Sequence, residues 1–525
     1  MTFIDVAGPD FLPFIPAIIL LVGASVLLTA EVYLSGTTRS HQPVLAVIFS
    51  ALAGVASIWI LPEAPREVLG GFGVLDPFGS FISLVICVGL GLSVLIAAGF
   101  LRHRKAERGE FYALMLLGAA GMSLLAVSNE LITLFVNVEV LSVCTYALAA
   151  YLRRGPRPAE AAFKYFILGA FSSAVLLYGI ALLYGATGTT QLTAMREAMP
   201  AAMSQSPGLA WLGLLLVAGG LSFKIAAVPF HMWTPDVYEG APTPATALMS
   251  AGVKAAAFAA LVRVFLSLGN SMDPQIMVAM FSVLALLSMV LGNLLALPQR
   301  NVKRMLAYSS IAHAGYTLLG VAALFVHGAE AAGGLTSAAG GLFTASPPSP
   351  GGASAALRGE ALQAIVFYLL AYTVSAVGAF GVLSAIERRE DEDRGTAWDL
   401  ERFSGLVHRR PGLAVAMAAF LVSLGGLPPL VGFMGKLLIF RSAVDAGLVW
   451  LAVVGILTSA AAAYYYLRVV VYMFMRPVPA DAPVHERHGW TNAALILSGV
   501  AAVVLGILPG LMSGLLDHAG QLFGQ

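Results

Sequence analysis

The stretch FKIAAVPFHMWTPDVYEGAPTP, residues 223–244, decides the fold because it interrupts an otherwise apolar run. It places Lys224 and His231 on either side of Pro229. Proline lacks the N–H that a helix interior needs, and its ring clashes with the carbonyl four residues earlier, so a helix should break at Pro229. Because seven residues make close to two helical turns, we expect Lys224 and His231 to point in nearly the same direction.

The composition around this stretch is typical of a membrane protein. The 525 residues are 59% hydrophobic and 11% charged, with a mean hydropathy of +0.86, whereas a soluble domain carries about 25% charged residues. Apolar runs of roughly 20 residues recur, and each is long enough to cross a hydrocarbon core. The net charge of +1 says nothing about partners, and the absence of a basic patch in the sequence argues against nucleic-acid binding. We therefore expect an all-α polytopic membrane protein.

The apolar runs predict fourteen spans. They lie near residues 12–34, 42–62, 76–101, 111–128, 129–152, 160–187, 208–235, 243–269, 273–298, 301–327, 359–386, 411–442, 444–475 and 490–518. Nineteen Lys and Arg residues then fall in loops on one side and four on the other. Because basic residues concentrate in cytoplasmic loops, both termini should face the outer side of the membrane.

A second interruption resembles the first. The stretch LGGLPPLVGFMGKLLIF has Pro428 and Pro429 within a predicted span, followed by Lys436. Two interrupted helices, five spans apart and each with a lysine near its break, are typical of paired transporter repeats. We expect two inverted five-helix repeats, formed by spans 4–8 and 9–13. The predicted domains are 1–110 (three helices), 111–270 (first repeat), 271–475 (second repeat) and 476–525 (C-terminal helix).

Two loops stand out by composition. Residues 328–358 are rich in Gly, Ala, Ser and Pro and predict a flexible insertion on the outer side. Residues 387–410 carry mixed charge and predict a solvated cytoplasmic connection. We expect no catalytic role for either.

Ionisable residues inside the predicted spans indicate function. Each lysine near mid-bilayer costs about 2.5–3.5 kcal/mol on insertion scales, and burial penalises the charged form of an amine. Packing alone has no need of such groups, although a static ion pair that fixes helix register is an alternative. Arg263 and Arg468 lie toward helix ends, where we expect their side chains to reach the interface. The four lysines that remain are Lys164, Lys224, Lys254 and Lys436.

Two further groups complete a candidate relay. Glu139 is the carboxylate placed well inside its span, and it is the natural counter-charge for a buried lysine. His313 lies mid-span in the tenth segment and can donate and accept a proton through two nitrogens. A hydrogen-bonded core histidine is the alternative for His313.

Four stretches carry a specific resemblance. They are FKIAAVPFHMWTPDVYEGAPTPATALMS, FKYFILGAFSSAVLLYGIALLYGATGTT, NVKRMLAYSSIAHAGYTLLG and GLPPLVGFMGKLLIF. They resemble the subunit N family of bacterial NADH:quinone oxidoreductase, respiratory complex I, over most of residues 76–475. The wording HMWTPDVYEGAP is closer to subunit N than to subunits L or M, and the 328–358 insertion departs from the family pattern.

The resemblance implies a proton-translocating membrane subunit. The family's relay positions fall on Glu139, Lys224, Lys254 and Lys436, and Lys164 and His313 also match family positions. Protons would move through this relay, coupled to quinone reduction elsewhere in the complex.

The partners implied are the other membrane subunits of complex I and the lipid bilayer of the bacterial inner membrane, with both termini periplasmic. The sequence contains no Rossmann glycine pattern, CxxC or haem motif. We therefore expect no cofactor on this chain, and NADH, FMN, iron–sulfur clusters and quinone on partner subunits.

Two other functions remain open from the sequence. A subunit of a multisubunit cation/proton antiporter or of a membrane hydrogenase shares the plan of lysines and broken helices. A passive membrane scaffold, in which buried charges only hold helices together, belongs to a different class.

Overall fold

The fold is described from a computed structural model. It describes residues 9–33, 41–152, 156–269, 272–329, 352–387, 397–479 and 489–522. Within these ranges the chain is helical apart from loops and one short hairpin, in which β1 (Arg66–Val68) pairs antiparallel with β2 (Gly73–Leu75).

Twenty helices follow one another along the described residues. They are α1 (Ile15–Tyr33), α2 (Gln42–Ile60), α3 (Pro77–His103), α4 (Gly109–Ala126), α5 (Leu131–Ala149), α6 (Pro156–Thr187), α7 (Leu192–Gln205), α8 (Pro207–Ile225), α9 (Thr234–Gly240), α10 (Thr243–Leu248), α11 (Lys254–Gly269), α12 (Pro274–Ala296), α13 (Val302–Ala329), α14 (Gly352–Ile386), α15 (Leu406–Arg409), α16 (Pro411–Gly425), α17 (Val431–Asp445), α18 (Val449–Met475), α19 (Gly489–Ile507) and α20 (Ser513–Ala519). A π-helical turn, Met249–Val253, joins α10 to α11. Short 3-10 turns lie at Pro9–Phe14, Leu69–Gly71, Leu400–Phe403 and Pro509–Met512.

The predicted membrane architecture is confirmed. Within the described ranges, thirteen helices are long and apolar enough to cross a membrane, with α10, the π turn and α11 counted as one. The predicted span at 411–442 is formed instead by two half-helices, α16 and α17, each too short to cross alone.

The first interruption has a defined backbone geometry. Helix α8 ends at Ile225, and Ala226 adopts a left-handed conformation with φ of 60°. The Ala226 N–H donates to Phe223 O (3.1 Å), and the Ala227 N–H donates to Ser222 O (2.9 Å). These two bonds form a Schellman motif, which satisfies carbonyls at the end of a helix. The helix does not continue past Ile225. The seven-residue spacing therefore does not make Lys224 and His231 point in the same direction.

The second interruption repeats this geometry. Helix α16 ends at Gly425, and Gly426 is left-handed with φ of 79°. The Gly426 N–H donates to Ser423 O (2.9 Å), and the Leu427 N–H donates to Val422 O (3.2 Å). A proline follows three residues after each left-handed residue, at Pro229 and at Pro429. The two breaks are therefore the same local structure, occurring once in each half of the chain.

Helices α12 and α13 approach closely through two glycines. A Cβ added to Gly292 would lie 2.6 Å from the Ala312 nitrogen, and one added to Gly315 would lie 2.6 Å from the Met289 nitrogen. Small residues allow such backbone contact between membrane helices. The contact fixes the rotation of α13, on which His313 lies between these contact points.

The two arginines that we expected at the lipid interface differ in their surroundings, since Arg263 is buried inside the protein and Arg468 is half-buried. Arg263 is 1% exposed and donates two hydrogen bonds to the Asp76 carboxylate, at 2.7 and 3.0 Å. Arg468 donates to Leu297 O (3.0 Å) and to Gln299 O, beyond the end of α12. The snorkelling prediction is wrong for Arg263, because Asp76, which is distant in sequence, binds it in the interior. For Arg468, which reaches carbonyl oxygens beyond the end of a helix, it stays a prediction.

The predicted loop at 328–358 is shorter than expected. Helix α13 reaches Ala329 and α14 begins at Gly352, so the edges of the 328–358 segment are helical and residues 330–351 lie outside the described residues.

The 387–410 connection was predicted to be solvated, but described residues near its start and middle are buried. Glu387 is 5% exposed, and Trp398 is 2% exposed. The Glu387 carboxylate accepts hydrogen bonds from Arg104 (2.5 Å), Thr243 and the Trp398 indole (3.2 Å). Residues 388–396 lie outside the described residues. Mixed charge in the sequence gave no sign of this burial because Arg104 and Thr243 come from distant segments.

Candidate functional site

Four lysines are buried among the described residues, and one of them, Lys303, donates to a main-chain oxygen, Ala241 O, at 2.7 Å. The other three carry the candidate site. Lys224 at the end of α8, Lys254 at the start of α11 and Lys436 in α17 are each 4% exposed or less. Water reaches none of these amines freely, so each depends on protein groups for its hydrogen bonds.

Lys224 is held by the helix that carries Glu139. Its Nζ donates to the Ser142 Oγ at 2.8 Å and lies 5.7 Å from the centre of the Tyr146 ring. Ser142 follows Glu139 by three residues on α5, so the two side chains share a face of that helix. Glu139 is near enough to interact with Lys224 through its charge. No ion pair within 4 Å joins them among the described residues, and Ser142 makes the direct contact instead.

Glu139 lies at the edge of the bundle. Its side chain is half-buried, and its Oε1 is shielded from solvent without a hydrogen-bond partner among the residues that the structure describes. Neighbouring positions on the same side of α5, Val136 and Val143, are 51% and 61% exposed. The carboxylate therefore stands between the interior that holds Lys224 and the outer surface of this chain.

Lys254 is bound to α13. Its Nζ donates to both the Oγ and the main-chain oxygen of Ser310. The Tyr372 hydroxyl donates to the same Ser310 Oγ at 2.9 Å. The π-helical turn ends immediately before Lys254, so the irregular backbone adjoins the residue that carries this buried amine.

His313 lies one helical turn beyond Ser310 and is enclosed by tyrosines. Its Nδ1 is 2.6 Å from the Tyr368 hydroxyl, and its Nε2 is 3.3 Å from the Tyr466 hydroxyl. The ring is near enough to both Lys254 and Lys436 to interact with each charge. His313 therefore stands between two buried amines, with a hydroxyl at each ring nitrogen.

Lys436 binds the end of the half-helix at the second break. Its Nζ donates to Gly425 O (3.0 Å), the last carbonyl of α16, and to the Ser459 Oγ (2.7 Å). The amine also lies 4.9 Å from the centre of the Tyr316 ring. Lys436 therefore binds the last carbonyl of the half-helix α16, and its amine faces the tyrosines around His313.

The region between Lys224 and Lys254 is aromatic. Trp233 stacks on Phe223 with ring centroids 5.3 Å apart, and its indole N–H donates to Phe223 O at 3.0 Å. Tyr238 meets Trp233 edge to face. No hydrogen bond among the described residues connects Lys224 to Lys254, so protein groups alone do not complete a path there.

Lys164 and His231 lie away from this cluster. The Lys164 side chain is 42% exposed and forms ion pairs with Glu160 (2.7 Å) and Asp236 (2.8 Å). The sequence did not predict these carboxylates, one on α6 and one on α9, and the depth of Lys164 in the membrane stays a prediction. His231 is half-buried, and no described hydrogen bond or ion pair joins it to Lys224.

The sequence did not point to the hydroxyl groups of this site. Ser142, Ser310 and Ser459 bind the three amines, and Tyr368 and Tyr466 bind His313. Serine and tyrosine recur throughout the spans, so nothing in their spacing marks these five. A lysine within an apolar span must have a hydrogen-bond partner, but the sequence does not show which helix provides that partner.

The described residues contain no group of three His, Cys, Asp or Glu side chains that could hold a metal ion. Cys87 and Cys144 are buried and free.

Comparison with known proteins identifies the family. The family model described as "NADH:quinone oxidoreductase/Mrp antiporter, TM" matches residues 128–337 and 353–462. The chain is 64% identical over 517 residues to NADH-quinone oxidoreductase subunit N of Myxococcus xanthus, covering 98% of each chain. The chain belongs to the subunit N family of NADH-quinone oxidoreductase.

Solved structures agree with membership of the subunit N family. A chain of respiratory complex I from Thermus thermophilus matches with a TM-score of 0.74 and 35% identity, over 96% of this chain and 100% of that one. A chain of the Mrp complex from Dietzia matches with a TM-score of 0.76 and 22% identity, over 96% and 97%. The second likeness shows a shared fold alone. The chain is thus an antiporter-like, multi-pass membrane subunit of a multisubunit enzyme, as the sequence predicted.

Proposed function

We propose that this chain translocates protons through a buried relay, coupled to quinone reduction elsewhere in the complex. The observation that carries the proposal is the placement of His313 between Lys254 and Lys436, within electrostatic reach of both. Both amines are buried, and each is held by a hydroxyl or carbonyl oxygen and not by a carboxylate. A buried amine without a carboxylate partner can release its proton without breaking an ion pair.

The entry to the relay is governed by Glu139. When this carboxylate is charged, it stabilises the protonated form of Lys224 through space. When its charge is neutralised or compensated from outside, Lys224 can pass its proton toward Lys254. The half-buried position of Glu139 at the bundle edge suits it to respond to charge on a neighbouring subunit.

The remaining transfer runs through the second half of the chain. From Lys254 the proton would pass by way of Ser310 and His313 to Lys436, with water completing the path where protein groups leave gaps. Lys164 and His231, which lie outside the cluster, would have accessory roles near the surface.

The domain arrangement follows from the two matching breaks. We propose that residues 111–270 and 271–475 are inverted repeats, flanked by a three-helix segment, 1–110, and a C-terminal helix, 476–525. NADH, FMN, iron–sulfur clusters and quinone would be bound by partner subunits, and this chain would lie in the bacterial inner membrane beside the other membrane subunits.

Both termini are proposed to be periplasmic, because nineteen Lys and Arg residues fall in the loops on the other side. A reporter fused after Gln525 should be active in the periplasm and inactive in the cytoplasm. The same reporter placed within residues 388–396 should give the opposite result. Cytoplasmic activity of the C-terminal fusion would contradict the orientation.

Replacing Glu139 by glutamine tests the relay against the scaffold alternative. Glu139→Gln keeps the shape and removes the charge, so proton pumping should fall by on the order of tenfold or more while the complex still assembles. Glu139→Asp retains the charge and should be milder. The measurement is the pH gradient formed per NADH oxidised, in membrane vesicles with equal complex content.

A scaffold gives a different result in the same experiment. If the buried charges only hold helices together, pumping should fall in proportion to complex content. Wild-type pumping by a fully assembled Glu139→Gln complex would contradict the relay at this residue.

A further inference from the structure

Lys224, Lys254 and Lys436, the three buried lysines of the proposed relay, share one feature of their surroundings. Each donates a hydrogen bond to a serine hydroxyl on another helix. Lys224 reaches Ser142 on α5 (2.8 Å), Lys254 reaches Ser310 on α13, and Lys436 reaches Ser459 on α18 (2.7 Å). Among the described ion pairs, none joins any of these amines to a carboxylate.

A hydroxyl suits an amine that changes charge. A protonated amine is a donor, and a serine oxygen accepts from it. A neutral amine has a lone pair, and the serine O–H can then donate to it. A carboxylate partner would favour the charged amine alone, and a backbone carbonyl can only accept.

The serine protons are already placed for such a reversal. The Ser142 hydroxyl donates to Val138 O, and the Ser459 hydroxyl donates to Gly425 O at 3.3 Å. The Val138 carbonyl also accepts the helical N–H from four residues later, so it stays paired if the hydroxyl turns away. Rotation about one side-chain bond therefore moves the proton of Ser142 from the carbonyl to a neutral Lys224.

We propose that Ser142, Ser310 and Ser459 are positioning residues that hold each lysine in place in both of its protonation states. This inference rests on the proposed proton relay. The lysines then gain and lose protons without moving between partners, and the distances between neighbouring relay groups stay fixed through the cycle.

The three serines are not equivalent. Lys254 also donates to the main-chain oxygen of Ser310, and Lys436 also donates to Gly425 O. For Lys224, the Ser142 hydroxyl is the sole hydrogen-bond partner within the described part of the chain. Removing the Ser142 hydroxyl should therefore have the largest effect of the three.

The test compares Ser142→Ala with Ser142→Thr in the assembled complex. The alanine variant should lower NADH-driven pH-gradient formation by on the order of tenfold, since a hydrogen bond to a charged group is lost. It should also shift the pH profile of pumping, because the Ser142 hydrogen bond stabilises the protonated and the neutral forms of Lys224 to different extents. The threonine variant keeps the hydroxyl and should restore both the rate and the profile.

Ser57→Ala is the matched control. Ser57 is fully buried and its hydroxyl donates to the carbonyl four residues earlier, Ala53 O, as Ser142 does to Val138 O. It should leave pumping and its pH profile unchanged. If Ser142→Ala does not assemble, Ser459→Ala answers the same question, with Ser459→Thr as its rescue.

Lys224→Ala measured alongside separates the two ideas. Wild-type pumping by an assembled Ser142→Ala complex, with pumping lost in Lys224→Ala, would overturn the serine inference and leave the relay standing. Wild-type pumping by both variants would overturn the relay itself. Loss in Ser142→Ala without rescue by threonine would also overturn the inference, because the hydroxyl would not be the group that matters.

Discussion

Replacing Lys254 by methionine is expected to abolish proton pumping while the complex still assembles. Lys254 is 3% exposed and lies within electrostatic reach of His313, so its removal takes a buried amine out of the proposed relay. Loss of a positioned proton-transfer group lowers a rate by about a hundredfold or more. Methionine has a similar length, and it removes a charge that costs about 2.5–3.5 kcal/mol to place in a membrane. The folded subunit should therefore tolerate the change.

The measurement for Lys254→Met is the pH gradient formed by vesicles that contain equal amounts of complex. Lys164→Met provides a matched comparison within the chain, because the Lys164 side chain is 42% exposed and paired with Glu160 and Asp236. We expect a much smaller loss of pumping for Lys164→Met. Equal effects of the two variants would show that burial does not distinguish the relay lysines.

Replacing Asp76 by alanine is expected to remove this subunit from the complex. The Asp76 carboxylate is fully buried and bound by Arg263, which is itself 1% exposed. Breaking a buried ion pair by removing one partner costs about 3–5 kcal/mol, because the other charge stays buried without compensation. Asp76 also caps α3 by accepting the Gly79 N–H at 2.8 Å, and loss of a cap costs about 1 kcal/mol. Together these losses are a large part of the stability of a typical domain.

The measurement for Asp76→Ala is the abundance and heat stability of the subunit in membranes. The double variant Asp76→Asn with Arg263→Met removes both charges and keeps a capping side chain, so it should recover most of the loss. Glu63→Gln is the surface control, since Glu63 and Arg66 form an exposed pair at 3.7 Å, and it should have no effect. Normal abundance of Asp76→Ala would show that Arg263 finds another partner.

Hydropathy in the sequence predicted the spans well because the bilayer imposes a simple length requirement on each helix. The thirteen apolar helices lie where the sequence places them. Proline chemistry likewise anticipated both interruptions, since α8 ends four residues before Pro229 and α16 ends three residues before Pro428.

The predictions failed where exposure depends on a distant partner. Arg263 was expected to reach the interface, yet Asp76, 187 residues away, binds it in the interior. Lys164 was expected as an ionisable group inside its span with no partner named, yet Asp236 and Glu160 bind it and its side chain is 42% exposed. Position along a helix gives depth in the membrane approximately, and it does not give the side of the helix that packs.

The sequence by itself determined that ionisable groups enter apolar helices at Glu139, Lys224, Lys254, His313 and Lys436, since such groups are costly to insert and their positions within apolar runs can be read directly. Only the tertiary structure decided their partners. It placed Ser142, and not the Glu139 carboxylate, against Lys224, and it enclosed His313 between Tyr368 and Tyr466. The physical reason is that hydropathy and periodicity report each helix against lipid, whereas a hydrogen-bond partner depends on which helices meet and at what rotation.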